Sequence, residues 1–279
     1  MTRIAVRKTA KLYIGGSFVR TESGRYQAHP LAGAAGIVNI PWASRKDARD
    51  AVVAARGAQA GWMGRSAYNR GQILYRIAEM LEGRRDSFAH CRMEEGLDRE
   101  EATAEIDAAI ETWVYYAGWC DKFTQVFSSV NPVASSHFNF SVPEPTGVVA
   151  AFQVSAGLAH LSATLASIMC LGNTGVVVSP TATGNTVLAF AEVLATSDVP
   201  AGAVNLLTSE LSELVTPLGS HLDVNAVVLC GHDQALWQDL QGAAPINVKR
   251  CLQWNNRLED PYRLMDVTDI KTTWHPIGW

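Results

Sequence analysis

The sequence has only five cysteines, and no two of them stand at C-x-x-C spacing. They are Cys91, Cys120, Cys170, Cys230 and Cys251. An odd number of scattered cysteines argues against a disulfide framework and against a structural zinc site. We predict that they behave as small buried apolar residues and that the chain has no metal site. Cys251 is the candidate for a functional redox role, because its neighbours are polar and rich in tryptophan.

The chain also lacks an apolar run of the roughly 18–20 residues that span a bilayer. Its first residues, MTRIAVRKTAKLY, lack the apolar core of a signal peptide. A net charge of −4 and a pI near 6.0 give no electrostatic footprint for nucleic acid or an anionic membrane. These absences predict a cytoplasmic protein with no nucleic acid and no membrane as partner. Its 279 residues, 48% of them hydrophobic, suffice for one large domain or two small ones.

The most informative stretch is Glu144–Ala182, which predicts a strand, a helix and a second strand. Val148–Phe152 is a short apolar run typical of a buried parallel strand. Leu158–Leu171 has helical length, and Gly172-Asn173 supplies a C-cap. Gly175–Ser179 is a second apolar strand. Such a unit of about thirty residues is the building block of a doubly wound nucleotide fold.

At these residues the chain resembles the NAD(P)-dependent aldehyde dehydrogenase superfamily, in which EPxGVVxxxxPWNxP leads into a helix and then into GNTVVxKPSE. The scaffold letters match at Glu144, Pro145, Gly147, Val148, Val149, Gly172, Asn173, Thr174, Val177 and Pro180. The resemblance implies an α/β fold, namely the doubly wound, Rossmann-like parallel sheet of the family's cofactor domain.

The residues that carry function in the family are replaced by other residues in this chain. The PWN asparagine, which holds the carbonyl oxygen as it becomes an oxyanion, is replaced by Ala156. The Lys and Glu of KPSE, which bind the adenosine ribose, are replaced by Ser179 and Ala182. Alanine has no side-chain donor, and serine is too short to replace that lysine. We therefore predict no catalytic residue, Ala156 being a degenerate oxyanion position.

A later string, Val228–His232 (VLCGH), resembles the family's FTGS turn. Gly231 is kept, whereas His232 replaces the serine that faces the nicotinamide diphosphate region. The resemblance thus marks four degenerate cofactor positions. They are Ser179, Ala182, Gly231 and His232. No cofactor is expected, although weak NAD(P) binding is left open.

The resemblance covers nearly the whole chain but only the first part of a typical family member. Its most specific string is Glu105–Lys122, and Ser44 is a plausible N-cap of the first helix. Family members continue with an E-L-G-G segment and a catalytic domain that holds the nucleophilic cysteine. The residues after His232 contain neither motif, and Thr268–Gly278 resembles the family's closing strand. We therefore expect the catalytic domain to be absent, as in the non-catalytic C-terminal module of class 16 two-domain aldehyde dehydrogenases or a short standalone relative.

An oligomerisation arm is predicted between Gln125 and Pro145. Polar residues alternate there with Phe138, Phe140 and Val142, which is the period of a strand. In the family this segment is a β-arm that pairs with a neighbouring subunit, and Asp260–Trp279 is predicted as its second strand. The expected interface residues are His137, Phe138, Asn139, Phe140, Lys271 and Trp274. The predicted division is a degenerate cofactor domain at 1–124 and 144–259, and an arm at 125–143 and 260–279.

Three further features receive a structural interpretation. The acidic run Glu94–Asp107 is predicted to feed a solvated helix face rather than a metal or acid–base site. His160 is predicted to be a satisfied interior residue. His232 and Asp233 could imitate a base and its orienting carboxylate, but no nucleophile accompanies them. Backbone amides at the start of a helix over Asp233–Leu240 could still hold an anion.

Three functions remain open from the sequence. The first is a non-catalytic pseudo-aldehyde dehydrogenase subunit that associates with and supports a catalytic NAD(P)-dependent aldehyde dehydrogenase. Its expected partner is that catalytic chain, in a hetero-oligomer, or a second copy of itself through the arm. The second is a regulatory module that binds a nucleotide or small molecule. The third is a residual aldehyde oxidoreductase with a relocated nucleophile such as Cys251.

Overall fold

The computed structural model describes residues 9–32, 36–155 and 157–278. Its strands are β1 (Leu12–Ile14), β2 (Ser17–Val19), β3 (Tyr26–Pro30), β4 (Ile37–Pro41), β5 (Ser129–Asn131), β6 (His137–Pro145), β7 (Val148–Gln153), β8 (Thr174–Pro180), β9 (Val204–Ser209), β10 (Ala226–Cys230), β11 (Arg250–Trp254) and β12 (Thr268–Pro276). Its helices are α1 (Arg45–Met63), α2 (Ala67–Glu82), α3 (Arg85–Glu94), α4 (Arg99–Ala117), α5 (Lys122–Phe127), α6 (Leu158–Cys170), α7 (Gly184–Ala195), α8 (Leu211–Gly219), α9 (Gln234–Ala243) and α10 (Tyr262–Asp266).

The central sheet has the strand order β11-β10-β7-β8-β9-β1-β2. Strands β7 to β11 are parallel, and the β1–β2 hairpin joins β9 antiparallel. Strands β7 to β10 are apolar and almost entirely buried because helices cover both faces of the sheet. The predicted α/β, doubly wound, Rossmann-like fold is confirmed. The strand order reverses between β7 and β10, which is where such sheets bind ligands.

Side chains on the strands alternate between two cores. Val148, Ala150 and Phe152 face the layer formed by α1, α8 and α9. Val149 and Ala151 face the opposite core, which includes α2, α4, α6 and α7 and is the larger of the two. The period-two pattern of strand β7 therefore fills both layers at once.

Local signals explain where the helices begin and end. Ser44 caps α1 as predicted, in a reciprocal capping box with Asp47. Helix α6 ends one residue before the predicted boundary, and Gly172 follows with φ +97°. Asn173 then accepts a hydrogen bond from the backbone N–H of Gly147 (2.8 Å) and donates one to the carbonyl of Val267 (3.0 Å). The Gly-Asn pair thus links the start of β7 to the segment that leads into β12.

A separate antiparallel sheet, the arm sheet, has the order β12-β6-β5. The second arm strand was predicted over Asp260–Trp279, which is too long: β12 spans Thr268–Pro276, and α10 and its flanking turns precede it. Arg250 ties the arm sheet to β11, since its guanidinium contacts Asp269 Oδ1 (2.5 Å) and Thr146 Oγ1 (2.9 Å). The division of the chain at 125–143 and 260–279 stays a prediction. Within the described residues, no helix is both long and apolar enough to cross a bilayer.

Candidate functional site

The candidate site is the cleft at the carboxyl edge of the sheet, where the strand order reverses. The loops after β7, β10 and β11 meet there. The loop after β10 and the end of β11 with its loop line a cavity of about 390 Å³, formed by Gly231, His232, Gln253, Trp254, Asn255 and Asn256. Ser155, in the loop after β7, donates a hydrogen bond to Asn256 Oδ1 (2.6 Å) and so joins two of these loops.

Gly231 allows the loops after β7 and β10 to approach closely. Its φ is +111°, and a Cβ there would lie 2.6 Å from Ser155 Oγ and 3.1 Å from Val154 Cβ. Its N–H donates to the carbonyl of Trp254 (2.9 Å). The glycine that the sequence retains therefore closes this corner of the cleft, and a side chain at this position would disrupt it.

His232 and Asp233 do not form a base and its orienting group. His232 is exposed, and its Nδ1 lies 3.4 Å from Gln253 Nε2. Asp233 Oδ1 instead accepts hydrogen bonds from the backbone N–H groups of Ala235 and Leu236, both at 3.0 Å. The prediction that amides at this helix start are free for an anion is therefore wrong for these two, because the chain's own carboxylate occupies them.

Ser179 and Gln153 leave buried polar atoms without partners. They lie near the carboxyl ends of adjacent strands, since Phe152 pairs with Val178 in the parallel register. Ser179 is 1% exposed and Gln153 is 2% exposed, and neither Ser179 Oγ nor either amide atom of Gln153 has a hydrogen-bond partner within the described part of the chain. Ala182 lies exposed in the turn after β8. Ala156, the predicted oxyanion position, lies outside the described residues.

The start of α6 is capped from another element. The backbone N–H of Leu158 donates to Glu105 Oε1 on α4, 2.5 Å away. Gly157 has φ +119°, and a Cβ there would lie 3.0 Å from the same oxygen. The carboxylate therefore sits where the first turn of α6 presents its unpaired N–H groups.

Helix α7 is capped in the same way by Glu95. Glu95 Oε1 accepts from the Thr186 N–H (2.9 Å), and Oε2 accepts from the Thr186 hydroxyl (2.8 Å). Arg92 bridges the two carboxylates, forming an ion pair with Glu95 and a second one with Glu105 (Nε–Oε1, 2.9 Å). The Arg92 and Glu95 side chains are only 5% and 4% exposed. We call Arg92, Glu95 and Glu105 the cap cluster.

The cap cluster corrects the interpretation of the acidic run. Glu95 and Glu105 do not belong to a solvated face, because they reach the starts of α7 and α6. Burial raises the pKa of Glu95, and the Thr186 and Arg92 contacts oppose that rise. Burial opposes the charge of Arg92, but the two carboxylates outweigh it and raise the pKa of Arg92. The only sequence signal was the spacing of Arg92 and Glu95 on one helix face.

The cap cluster and Asp233 together define what the cleft can bind. Helix starts at the carboxyl edge of a doubly wound sheet are sites for anionic ligand groups. Here α6, α7 and α9 each receive a carboxylate of the chain itself. A phosphate would therefore have to compete with these carboxylates and overcome their charge.

The predicted interface residues lie on different parts of the arm sheet. Phe138, Lys271 and Trp274 are exposed, whereas His137 and Phe140 are half-buried. Asn139 is buried, and its Oδ1 accepts from Asn131 Nδ2 (2.6 Å). Its side chain is thus used inside the arm sheet and is not presented at the surface.

The cysteines divide into two groups. Cys120, Cys170 and Cys230 are buried, as predicted, whereas Cys91 and Cys251 are only half-buried. Burial raises the pKa of Cys251, which disfavours the thiolate that a nucleophile needs. His160 is half-buried, and burial lowers its pKa.

Known proteins resemble this chain in sequence and in fold. A model of the aldehyde dehydrogenase family matches residues 18–252. Cytosolic 10-formyltetrahydrofolate dehydrogenase of Mus musculus is 29% identical over 259 residues, covering 89% of this chain and 28% of that protein. Aldehyde dehydrogenase, cytosolic 1, of Elephantulus edwardii is 29% identical over 259 residues, covering 90% of this chain and 50% of that protein.

Solved structures show the same fold. The NAD+ complex of an aldehyde dehydrogenase from Bacillus cereus superposes with a TM-score of 0.81 at 23% identity, covering 88% of this chain and 50% of that one. The chain thus spans about half, or less, of the length of these relatives. The family match extends over most of the chain and coincides with the doubly wound sheet. This chain therefore belongs to the aldehyde dehydrogenase family.

Proposed function

We propose that this chain is a non-catalytic subunit that associates, through its arm sheet, with a catalytic NAD(P)-dependent aldehyde dehydrogenase. The observation that carries the proposal is the exposed apolar surface of the arm sheet. The cleft supports it, because the groups that would act on a cofactor are replaced or engaged by the chain itself.

The arm sheet offers both an edge and a face. Within the described residues β12 pairs with β6 alone, so its outer edge is open for a further strand. Register places Val130 and Thr273 beside Phe140, on the face that Phe138 also shares. The rings of Phe138 and Phe140 lie 5.5 Å apart. Exposed apolar groups line up on this sheet as they do at protein interfaces.

The opposite face of the arm sheet carries a polar network, in which the buried Nδ2 of Asn139 has no hydrogen-bond partner among the described residues. Asn131 donates to Asn139 and to Ser141, and Ser141 contacts the Thr272 hydroxyl at 2.8 Å. Trp274 lies beside this polar network and is exposed by 59%, with its ring 5.9 Å from that of His137. A polar network with one projecting tryptophan suits a surface that fixes the orientation of a partner.

Mixing experiments test the proposal. The purified chain is analysed by size exclusion with light scattering, alone and with a full-length catalytic aldehyde dehydrogenase of its own organism. A mixed assembly of fixed stoichiometry is expected, and no NAD(P)H should form from simple aldehydes with the chain alone. A chain that elutes as a monomer in every mixture contradicts the proposal, as does turnover by the chain alone.

A second candidate function is a regulatory module that binds a small molecule, and the buried orphan groups of Gln153 and Ser179 favour it. Buried polar atoms without partners are often satisfied by water or a ligand. The test is a fluorescence titration of the chain with NADH and NADPH, followed by a thermal-shift screen of neutral nucleosides and amides. Saturable binding abolished by Gln153→Leu supports it, and a flat response to millimolar ligand contradicts it.

A further inference from the structure

Two buried thiols meet at the junction of α4 and α6. The Sγ atoms of Cys120 and Cys170 lie 3.6 Å apart, in van der Waals contact. Both face the carbonyl of Tyr116, at 3.6 Å and 3.4 Å respectively. Cys120 belongs to the turn that joins α4 to α5, and Cys170 is the last residue of α6. The two residues are 50 positions apart in the chain, so only the fold brings them together.

From this arrangement we infer that Cys120 and Cys170 form a two-electron oxidation site that takes a small peroxide and closes to a disulfide. A disulfide requires a sulfur–sulfur distance of about 2.05 Å. The sulfurs must therefore approach by about 1.5 Å, which a side-chain rotation and a small shift of the turn can provide. Because Cys120 lies in a turn, this shift breaks no bond in the interior of a helix.

A groove on the surface gives a small oxidant access to the pair. Cys120 lines a cavity of about 400 Å³ between α2 and α4, together with Tyr68, Tyr75 and Val114. Gly71 lies on α2 directly opposite: a Cβ there would lie 3.6 Å from Cys120 Cβ and 3.0 Å from the carbonyl of Ala117. The absence of a side chain at Gly71 lets the groove reach Cys120, which is 2% exposed and would be covered by a larger residue at that position.

The two sulfurs have different roles in the reaction. Cys120 releases its thiol proton, its sulfur attacks one peroxide oxygen and the O–O bond breaks. The leaving hydroxide takes up that proton, so a sulfenic acid and one water form. The Cys170 sulfur then attacks the Cys120 sulfur, the S–S bond forms, the S–O bond breaks, and a second water leaves with the thiol proton. The two sulfurs together lose two electrons, and the two peroxide oxygens gain them.

The surroundings of Cys170 suit the resolving role. Burial raises the pKa of its thiol, so that it is protonated in neutral solution, and the nearby Arg70 guanidinium opposes that shift. Arg70 Nε also donates to the carbonyl of Cys170 (3.1 Å) and holds the end of α6 in place. A protonated resolving thiol makes ring closure slow, so the oxidation is expected over minutes to hours.

The disulfide would change the region that carries the arm sheet. The loop it closes contains α5, β5, β6, β7 and α6, and therefore two of the three arm strands. Closing a loop of this length restricts the unfolded chain and predicts a rise in Tm of roughly 10 °C. The oxidised form would hold the base of the arm sheet more rigidly than the reduced form.

The experiment treats the full chain with hydrogen peroxide, blocks remaining thiols and maps the peptides by mass spectrometry. We expect a species lighter by two hydrogens, a cross-linked peptide pair containing Cys120 and Cys170, and a Tm increase that dithiothreitol reverses. Linkage through other cysteines overturns the inference. So does recovery of both thiols in reduced form after prolonged treatment.

Two variants separate the roles of the thiols. Cys170→Ser should leave a sulfenic acid on Cys120 that dimedone traps, and should abolish the Tm increase. Cys251→Ser is the matched control and should retain both the cross-link and the Tm increase. If Cys170→Ser fails to fold, peptide mapping of the unaltered chain still decides the question. Dimedone labelling of Cys170 with Cys120 left intact would contradict the assigned order of attack.

Discussion

The carboxyl edge of the central sheet and the arm sheet differ in whether their side chains are engaged within the chain or exposed. At the carboxyl edge, three helix starts receive carboxylates from within the chain, and the bridging Arg92 is almost fully buried. On the arm sheet, Val130, Phe138 and Trp274 remain exposed, and the outer edge of β12 is open in the described structure. The helix starts at the carboxyl edge find partners within the chain, whereas the arm sheet presents apolar surface that a second chain would cover. Stability should therefore depend on the first region and association on the second.

The largest effect is expected from Arg92→Ala. The substitution leaves the buried carboxylate of Glu95, and the largely buried one of Glu105, without their cation. Breaking a buried ion pair by removing one partner costs about 3–5 kcal/mol. Urea denaturation followed by tryptophan fluorescence measures the change in the free energy of unfolding.

Arg85→Ala on the same helix is the matched control. Arg85 pairs with Asp107 on α4, but both side chains are exposed by more than a third. Solvent screens such pairs, so a much smaller change is expected. Equal effects for the two variants would mean that the cap cluster is not special and would remove the contrast between the regions.

The next effect is expected from Gly231→Ala at the cleft. A side chain at φ +111° is strained, and its Cβ would lie 2.6 Å from Ser155 Oγ. We expect a loss of about 1–3 kcal/mol in the free energy of unfolding. Gly242 lies on the exposed side of α9, and no atom of another described element lies within 4 Å of an added Cβ, so Gly242→Ala should be stabilising by about 0.5–1 kcal/mol. If Gly231→Ala were neutral, the cleft would have room that the structure does not show.

The strand–helix–strand unit within Glu144–Ala182 was predictable from the sequence, because local signals mark where its elements begin and end. The strand predicted at Val148–Phe152 is observed at Val148–Gln153, and the helix predicted from Leu158 begins there. Long apolar runs and the Gly172-Asn173 pair fix these boundaries locally. Ser44 and Asp47 likewise specify the start of α1 within four residues.

The cap cluster was not predictable, because its partners are distant in the chain. Glu105 contacts Leu158 across 53 positions, and Glu95 contacts Thr186 across 91. An acidic run has the same composition whether it is solvated or folded against helix starts. Only the packing of α3 and α4 on α6 and α7 decides between the two. The Cys120–Cys170 contact could not be predicted for the same reason, because the two cysteines are far apart in the chain and do not form a sequence motif.

A moderate effect, on association rather than folding, is expected from Trp274→Ala. The exposed ring contributes little to the fold, so the free energy of unfolding should change by less than about 1 kcal/mol. Affinity for a catalytic aldehyde dehydrogenase should fall at least about tenfold, as expected for a tryptophan anchor. Tyr68→Ala removes a ring that is 69% exposed but lies on α2, and should leave affinity unchanged. Equal losses from both variants would place the interface outside the arm sheet.

The smallest effect is expected in the pH dependence of stability, through His160. Burial lowers its folded-state pKa; Glu105 opposes that change, and Arg263 adds to it. The unfolded histidine titrates near its ordinary value of about 6.5. Below that pH the unfolded state binds more protons than the folded state, so stability falls as the pH falls through the folded-state pKa. Above about 6.5 the contribution of His160 is fully present.

His160→Gln removes this titration and should flatten the slope of unfolding free energy below about pH 6.5, where the unfolded histidine becomes protonated. Measurement at pH 7.5 isolates the packing cost of the substitution, because His160 is neutral there in both states. The raised pKa of Glu95 has the opposite effect on the pH dependence of stability. The contribution of Glu95 to the free energy of unfolding decreases as the pH rises through its folded-state pKa. An unchanged slope in His160→Gln would mean that His160 binds protons alike in the folded and unfolded states, against the expectation from its burial at the start of α6.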